Sequence, residues 1–110
     1  MKSYAVIGLG RFGTQIATRL YEYGEDVLVI DRQAAVINKI ADRVTRAVVG
    51  DAKDKSTLQS LGVANCDCAI VAIGSEFAAS VLITMNLKSL GVPRVICKAH
   101  DDTHREILEK

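Results

Sequence analysis

Three glycines spaced Gly8-x-Gly10-x-x-Gly13 stand between an apolar run, Tyr4 to Ile7, and a stretch with helical apolar spacing. A glycine string of this kind is weak alone, because such spacing arises by chance in many loops. Its surroundings strengthen it. A buried-strand pattern precedes it, a helix pattern follows, and a second strand-like run ends in an acid at Asp31, 18 residues beyond Gly13. That is close to the roughly 20-residue spacing of a dinucleotide-binding βαβ unit. In such a unit Gly8 permits the tight turn, Gly10 lets backbone approach a pyrophosphate, and Gly13 lets the helix pack closely on the strand. The helix N-terminus then offers unpaired N–H groups and a positive dipole end to phosphates. The alternative is a plain strand–turn–helix without a ligand.

The rest of the chain repeats the alternation. Arg11 to Tyr23 places Phe12, Ile16, Ala17 and Leu20 at helical spacing, and Gly24 stops the helix. Asp26 to Ile30 is a β-branched run with the look of a strand buried on both faces. A helix is expected from Gln33 to Ala41, a third strand from Thr45 to Val49, and a short helix from about Asp54 to Leu61. Asp54 or Ser56 is its candidate N-cap, and Gly62 closes it. Asp67 to Ile73 reads as a fourth strand, Glu76 to Leu90 as a long helix ended by Gly91, and Arg94 to Lys98 as a fifth strand behind Pro93. A last helix is expected over Asp101 to Lys110. Strict βαβαβαβαβα alternation implies an α/β fold, a Rossmann-like doubly wound parallel sheet of strand order 3-2-1-4-5. A ligand then belongs where the order reverses, between strands 1 and 4.

Length and charge narrow the function. At 110 residues the chain is one domain. A net charge of +1 and the absence of Trp give no footprint for nucleic acid. No apolar run approaches the roughly 18 residues that cross a bilayer, so no direct membrane insertion is expected. The N-terminus runs into the first strand with only Lys2 and Ser3 ahead of it, which implies no leader and a cytoplasmic protein. Cys66, Cys68 and Cys97 make no disulfide framework or zinc spacing, and read as small core hydrophobes. The helix Glu76 to Leu90 is apolar nearly all round, and a helix of that kind is normally buried. A subunit interface is the natural inference; a partly exposed apolar face is the alternative. The chain's end, in or just after a helix beside an open sheet edge, suggests a regulatory module cut from something longer.

The candidate site residues follow from the strand tips. Asp31 can accept ribose hydroxyls, or cap the helix after it, or both. Arg32 can pair with a 2′-phosphate or lie over an adenine face, but the retained carboxylate favours an unphosphorylated ribose. Asp51 can bond an adenine amino group directly or through the backbone of Ala52, or be a simple turn aspartate. Ala72, Ile73, Gly74 and Ser75 lie opposite the glycine loop as the other wall. Arg11 within the loop is placed for a terminal phosphate or for solvent. Phe12 beside it joins the candidate set, as does Lys98 on the same rim but further off. His100 and His104 have i, i+4 spacing that can bind a metal, yet without a third ligand they read as a surface pair. No nucleophile is paired with a base, and no region follows that would place a substrate against a nicotinamide. The chain binds a nucleotide but does no chemistry on it; the rival reading is the nucleotide half of an NAD-dependent oxidoreductase.

VIGLGRFG, Asp31 at the end of strand 2, Gly50-Asp51, IVAIGS and the apolar helix after it resemble the N-terminal domain of RCK (regulator of K⁺ conductance) proteins. These are cytosolic nucleotide-binding parts of Ktr/Trk-type bacterial potassium uptake systems and related channels. The resemblance extends through Lys98-Ala99 and the helix with His104 ahead of Leu108. It implies binding of ATP/ADP or NAD(H) in the glycine cleft. It implies a membrane-embedded K⁺ channel or transporter subunit as partner, with the domain at the inner face of the membrane. It further implies a homodimer, and an octameric ring when full length, whose shape follows the bound nucleotide. Arg11 matches the arginine that reaches the ATP terminal phosphate across a subunit contact. Full-length members of the family continue into a crossover helix and a C-terminal lobe.

Overall fold

In the computed structural model the described residues are 1–73 and 76–98. The expectations for Gly74, Ser75, Ala99, His100, His104 and the helix over Asp101 to Lys110 lie outside them. Five strands form one parallel sheet: β1 (Ser3–Ile7), β2 (Asp26–Asp31), β3 (Arg46–Val49), β4 (Cys68–Val71) and β5 (Arg94–Cys97). Their order is β3-β2-β1-β4-β5, as the alternation implies. The connecting helices are α1 (Arg11–Glu22), α2 (Ala34–Ile40), α3 (Lys55–Ser60) and α4 (Phe77–Ser89). Two 3₁₀ turns, Ala41–Arg43 and Val63–Asn65, interrupt what the sequence presents as loops.

Alternation along each strand divides the core in two. Val6, Val27, Val29 and Ile70 point toward α1 and α2, where Ala17, Ile37 and Ile40 meet them. Ala5, Leu28, Ile30 and Val71 point the other way, against Leu58 of α3 and Ile83 and Leu87 of α4. The central strands are therefore covered on both faces, as their near-continuous apolar runs require. Phe12 departs from its helical pattern. It is 37% exposed at the start of α1 and lies beneath Lys98, whose Nζ is 5.5 Å from the ring centroid. The fourth strand is shorter than its apolar run. Ala72 and Ile73 leave the ladder, although the Ala72 N–H still donates to the Ile7 carbonyl at 2.7 Å.

The glycine turn sets the geometry at the carboxyl edge. Gly8 has φ +93°, and a Cβ there would meet the Ala72 carbonyl oxygen at 3.0 Å. A Cβ on Gly13 would come within 1.9 Å of the Gly8 carbonyl oxygen. Helix α1 thus rests directly on the backbone of the turn. Gly13→Ala is expected to destabilise the domain by about 3 kcal/mol or prevent folding, since an added methyl in a filled space displaces backbone. Urea denaturation checks this; a loss under about 0.5 kcal/mol would mean that α1 can shift without cost.

Candidate functional site

Four loops and one helix surround a cleft of about 190 Å³ above the carboxyl ends of β1, β2 and β4. That is smaller than the roughly 300 Å³ lower bound of pockets that engulf a drug-sized ligand. A ligand here lies partly in the cleft and partly along its open side. The floor is the turn from Ile7 to Gly10, one rim is Asp31, Arg32 and Gln33, and another is Gly50 to Lys53. Ala72, Ile73, Glu76 and the α4 residues Ala79 and Ile83 close the far wall.

Asp31 holds the rims together. Its Oδ2 accepts the Leu9 N–H at 2.8 Å, and its Oδ1 accepts the Gln33 N–H at 2.9 Å. Its main-chain carbonyl accepts from the Gly50 N–H at 3.0 Å. One side chain therefore fixes the glycine turn and the entry to α2 at once. Each carboxylate oxygen has a second lone pair, so both remain able to accept a hydroxyl from the cleft. The capping role and a ribose-binding role coexist geometrically.

Asp51 shapes the next rim. Its Oδ1 accepts the Lys53 N–H at 3.0 Å and its carbonyl accepts the Asp54 N–H at 3.1 Å, an Asx-type turn. Asp54 then caps α3, accepting from the Ser56 N–H at 3.0 Å and the Ser56 hydroxyl at 2.7 Å. The Ser56 hydroxyl, followed by its N–H, holds the Asp54 carboxyl below the ordinary carboxylate range. From the other side Asn86 of α4 donates to the Lys53 carbonyl at 3.0 Å.

Helix α1 starts at Gly10 with no side-chain cap and no acid in its first turn. Its first N–H groups are therefore not capped by a side chain of the helix's own first turn. Among the described residues, a Cβ on Gly10, at φ −71°, would meet nothing within 4 Å, and none of them requires a glycine there. The side chains around the cleft include three acids (Asp31, Asp51, Glu76) and two bases (Arg32, Lys53), a formal sum of −1. Hydroxyl and amino donors suit this lining; an anion has the α1 N-terminus as its favourable end.

Of the sequence-derived set, Gly8, Gly10, Asp31, Arg32, Asp51, Ala52, Ala72 and Ile73 line the cleft. Arg11, Phe12, Gly13 and Lys98 do not. Arg11 is exposed at the first position of α1, and Gly13, two residues on, is buried. Gln33, Lys53, Glu76 and Asn86 were not singled out by the sequence. Lys53 and Gln33 adjoin flagged residues, a proximity that would have found them; Asn86 carries no local signal, because its partners lie 33 and 34 residues away. None of the three cysteines lines the cleft. Burial raises the thiol pKa of Cys66 and Cys68, keeping both as neutral core groups. Burial raises Cys97 as well, opposed by the Thr84 hydroxyl 2.8 Å from its sulfur.

The fold and the uncapped glycine turn define a doubly wound domain of Rossmann type with its cleft at the topological switch point. The chain belongs to the TrkA-N domain family, whose model matches residues 4–110. It is 45% identical over 109 residues to Ktr system potassium uptake protein C of Bacillus subtilis (strain 168), an alignment covering 99% of this chain and 49% of that protein. The chain spans about half the length of the curated relatives it matches. Among solved structures, the NAD(P)-binding domain of an exopolyphosphatase-related protein from Archaeoglobus fulgidus superposes with TM-score 0.86 at 25% identity, covering 99% of this chain and 81% of that one. The GsuK channel bound to NAD superposes with TM-score 0.84 at 16% identity, over 98% of this chain and 20% of that one, a likeness of fold. No helix among the described residues is long and apolar enough to cross a membrane.

Asp31→Asn leaves the Leu9 or the Gln33 N–H facing an amide NH₂ instead of an acceptor. A loss of about 1–3 kcal/mol in unfolding free energy is expected before any ligand is added. Unchanged stability in a denaturant titration would show that these bonds do not fix the rims.

Proposed function

We propose that the domain binds an adenine nucleotide, ATP/ADP or NAD(H), across the glycine turn and serves as the sensing half of a regulatory subunit for a membrane K⁺ channel or transporter. The observation that carries the nucleotide reading is Gly10. Its φ is ordinary, its Cβ would meet nothing among the described residues, and it lines the cleft at a helix start without a side-chain cap. A glycine with no internal reason is accounted for by a ligand backbone passing over it. Asp31 and Asp51 fit ribose hydroxyls and an adenine amino group as acceptors, and the N–H groups of α1 fit phosphate oxygens. The transport role rests on the names of the relatives and on their length, about twice that of this chain.

The working unit we propose is non-catalytic. In it the domain self-associates as a homodimer, and as an octameric ring in the full-length subunit, at the inner face of the membrane. The outer face of α4 supports self-association: Leu82 is 43% and Met85 62% exposed beside Ala78. A nucleotide regulates such an assembly only through different affinities for its two shapes. Arg11, outside the cleft and exposed, is assigned to the terminal phosphate of ATP, and Lys98 and Phe12 to the outer edge of the same end.

A thermal-shift titration with ATP, ADP, NAD, NADH and NADPH tests the reading. A ligand at 100 times its dissociation constant adds about 2.7 kcal/mol, which raises the melting temperature of a domain this size by roughly 10 °C or more. Gly10→Asp is expected to fold normally, having space for its side chain, and to lose that shift by setting a negative charge against the phosphates. Retained tight binding in the folded variant refutes the site.

Arg11→Ala separates the two ligand classes. Loss of one charge-assisted hydrogen bond should weaken ATP by about 10-fold or more and NADH little. Equal losses for both, measured by calorimetry, remove Arg11 from the terminal phosphate.

A further inference from the structure

Asn86 is a half-buried amide on a helix made mostly of apolar residues. Asparagine is a poor helix former, so its place in the interior of α4 asks for a reason. Its Nδ2 donates to the Lys53 carbonyl at 3.0 Å and approaches the Ala52 carbonyl oxygen at 3.5 Å. Ala52 is buried, where a carbonyl without a donor is costly. The residues that Asn86 holds belong to the rim that carries Asp51, and Ile83, one turn earlier on the same helix, lines the cleft.

Besides the Asp54 N–H on the Asp51 carbonyl, two other hydrogen bonds hold that rim. The Gly50 N–H donates to the Asp31 carbonyl at 3.0 Å, and the Lys53 N–H donates to Asp51 Oδ1 at 3.0 Å. The first fixes where the rim begins and the second fixes its curl. Asn86 sets how far the curl stands from α4, and so where the Asp51 carboxylate sits over the cleft. We propose that Asn86 is a positioning residue which, by holding the Ala52 and Lys53 carbonyls, places Asp51 to select adenine over guanine.

The inference rests on the nucleotide reading above. The chemistry of selection is an acceptor meeting a donor. Adenine presents its exocyclic amino group, which a carboxylate accepts; guanine presents a carbonyl oxygen at the same ring position, which a carboxylate repels. Such a contact discriminates only while the donor–acceptor distance stays near 2.7–3.2 Å. Released from Asn86, the rim can swing the carboxylate out to water, and the preference goes with it.

Equilibrium binding of ATP and GTP to the full 110-residue chain tests this for wild type, Asn86→Ala and Asn86→Gln. The expected result for Asn86→Ala is ATP weakened about 10-fold with GTP within about twofold, so that the preference itself collapses. Asn86→Gln keeps an amide donor and should retain the preference within about threefold. A merely structural role lowers both affinities together and leaves the ratio standing; that outcome, or an unchanged ATP affinity in Asn86→Ala, overturns the proposal. If Asn86→Ala does not fold, Asn86→Ser, whose hydroxyl is too short to reach either carbonyl, is judged by the same ratio. A wild-type chain that binds neither nucleotide overturns the nucleotide reading and this inference with it. Binding of ATP by wild type together with an unmoved ratio in the variants overturns this inference alone.

Discussion

The absence of a side chain between Gly13 and the Gly8 carbonyl is the constraint on which the carboxyl edge of this domain depends. A methyl group there would sit 1.9 Å from that oxygen, so α1 can approach β1 only as glycine. With the helix pressed onto the turn, its N-terminus is aimed over the switch point rather than past it. Leu9 is then delivered to the Asp31 carboxylate, and Asp31 in turn holds Gln33 and Gly50. Three loops from three strands are laced by one residue whose backbone and side chain both take part. The cleft is a consequence of how the edge folds.

Much of the fold is legible in the sequence because local and global patterns agree. The runs DVLVI and CAIV are apolar without alternation, and both become strands covered on two faces. Gly24, Gly62 and Gly91 all take positive φ just past a helix, at or near the places where their helices were expected to stop. What was less legible depends on distance in sequence. Phe12 has helical spacing but sits at the first turn, beyond the reach of the sheet, and so turns outward under Lys98. Ala72 and Ile73 continue the apolar run of β4 yet leave its ladder to make the cleft wall. The two 3₁₀ turns have no periodicity to announce them. Within the site, strand tips and glycines could be placed by counting residues, whereas Asn86 could not: its role exists only once α4 lies beside the β3–α3 loop.

Helix α4 has two faces with different duties. Ala79, Ser80, Ile83 and Leu87 are buried against the sheet, and Ala79 and Ile83 also reach the cleft. The opposite side presents Ala78, Leu82 and Met85 to the surface. A helix this apolar has little amphipathic contrast to orient it, so its orientation comes from its specific partners: Asn86 at the Lys53 carbonyl and the Thr84 hydroxyl at Cys97. Under the proposed function, a helix that touches the cleft with one face and offers an apolar patch with the other links the ligand to whatever covers that patch. This is a matter of shared rigid contacts, and its size is the difference in ligand affinity between covered and uncovered states.

The charge distribution around the cleft separates the two ends of the proposed ligand. Around the cleft the acids outnumber the bases, so the adenosine end of a ligand, rich in hydroxyl and amino donors, is the part these side chains suit. The phosphate end has mainly backbone N–H groups at the start of α1, which accept mono-, di- or dinucleotide phosphates with little discrimination. Under the proposed function, adenosine then anchors ATP, ADP and NAD(H) alike, and the difference between them is felt beyond the cleft. Arg11 is exposed there, and Lys98 is parked on Phe12. Moving Lys98 from the ring toward a phosphate exchanges a cation–π contact, worth about 0.5–1 kcal/mol at an exposed site, for a charge-assisted hydrogen bond of about 1.5–3 kcal/mol. The exchange is favourable only when a phosphate extends that far. Under the proposed function, discrimination among the ligands belongs to the exposed cations at the outer edge, while affinity common to all of them belongs to the laced rims beneath.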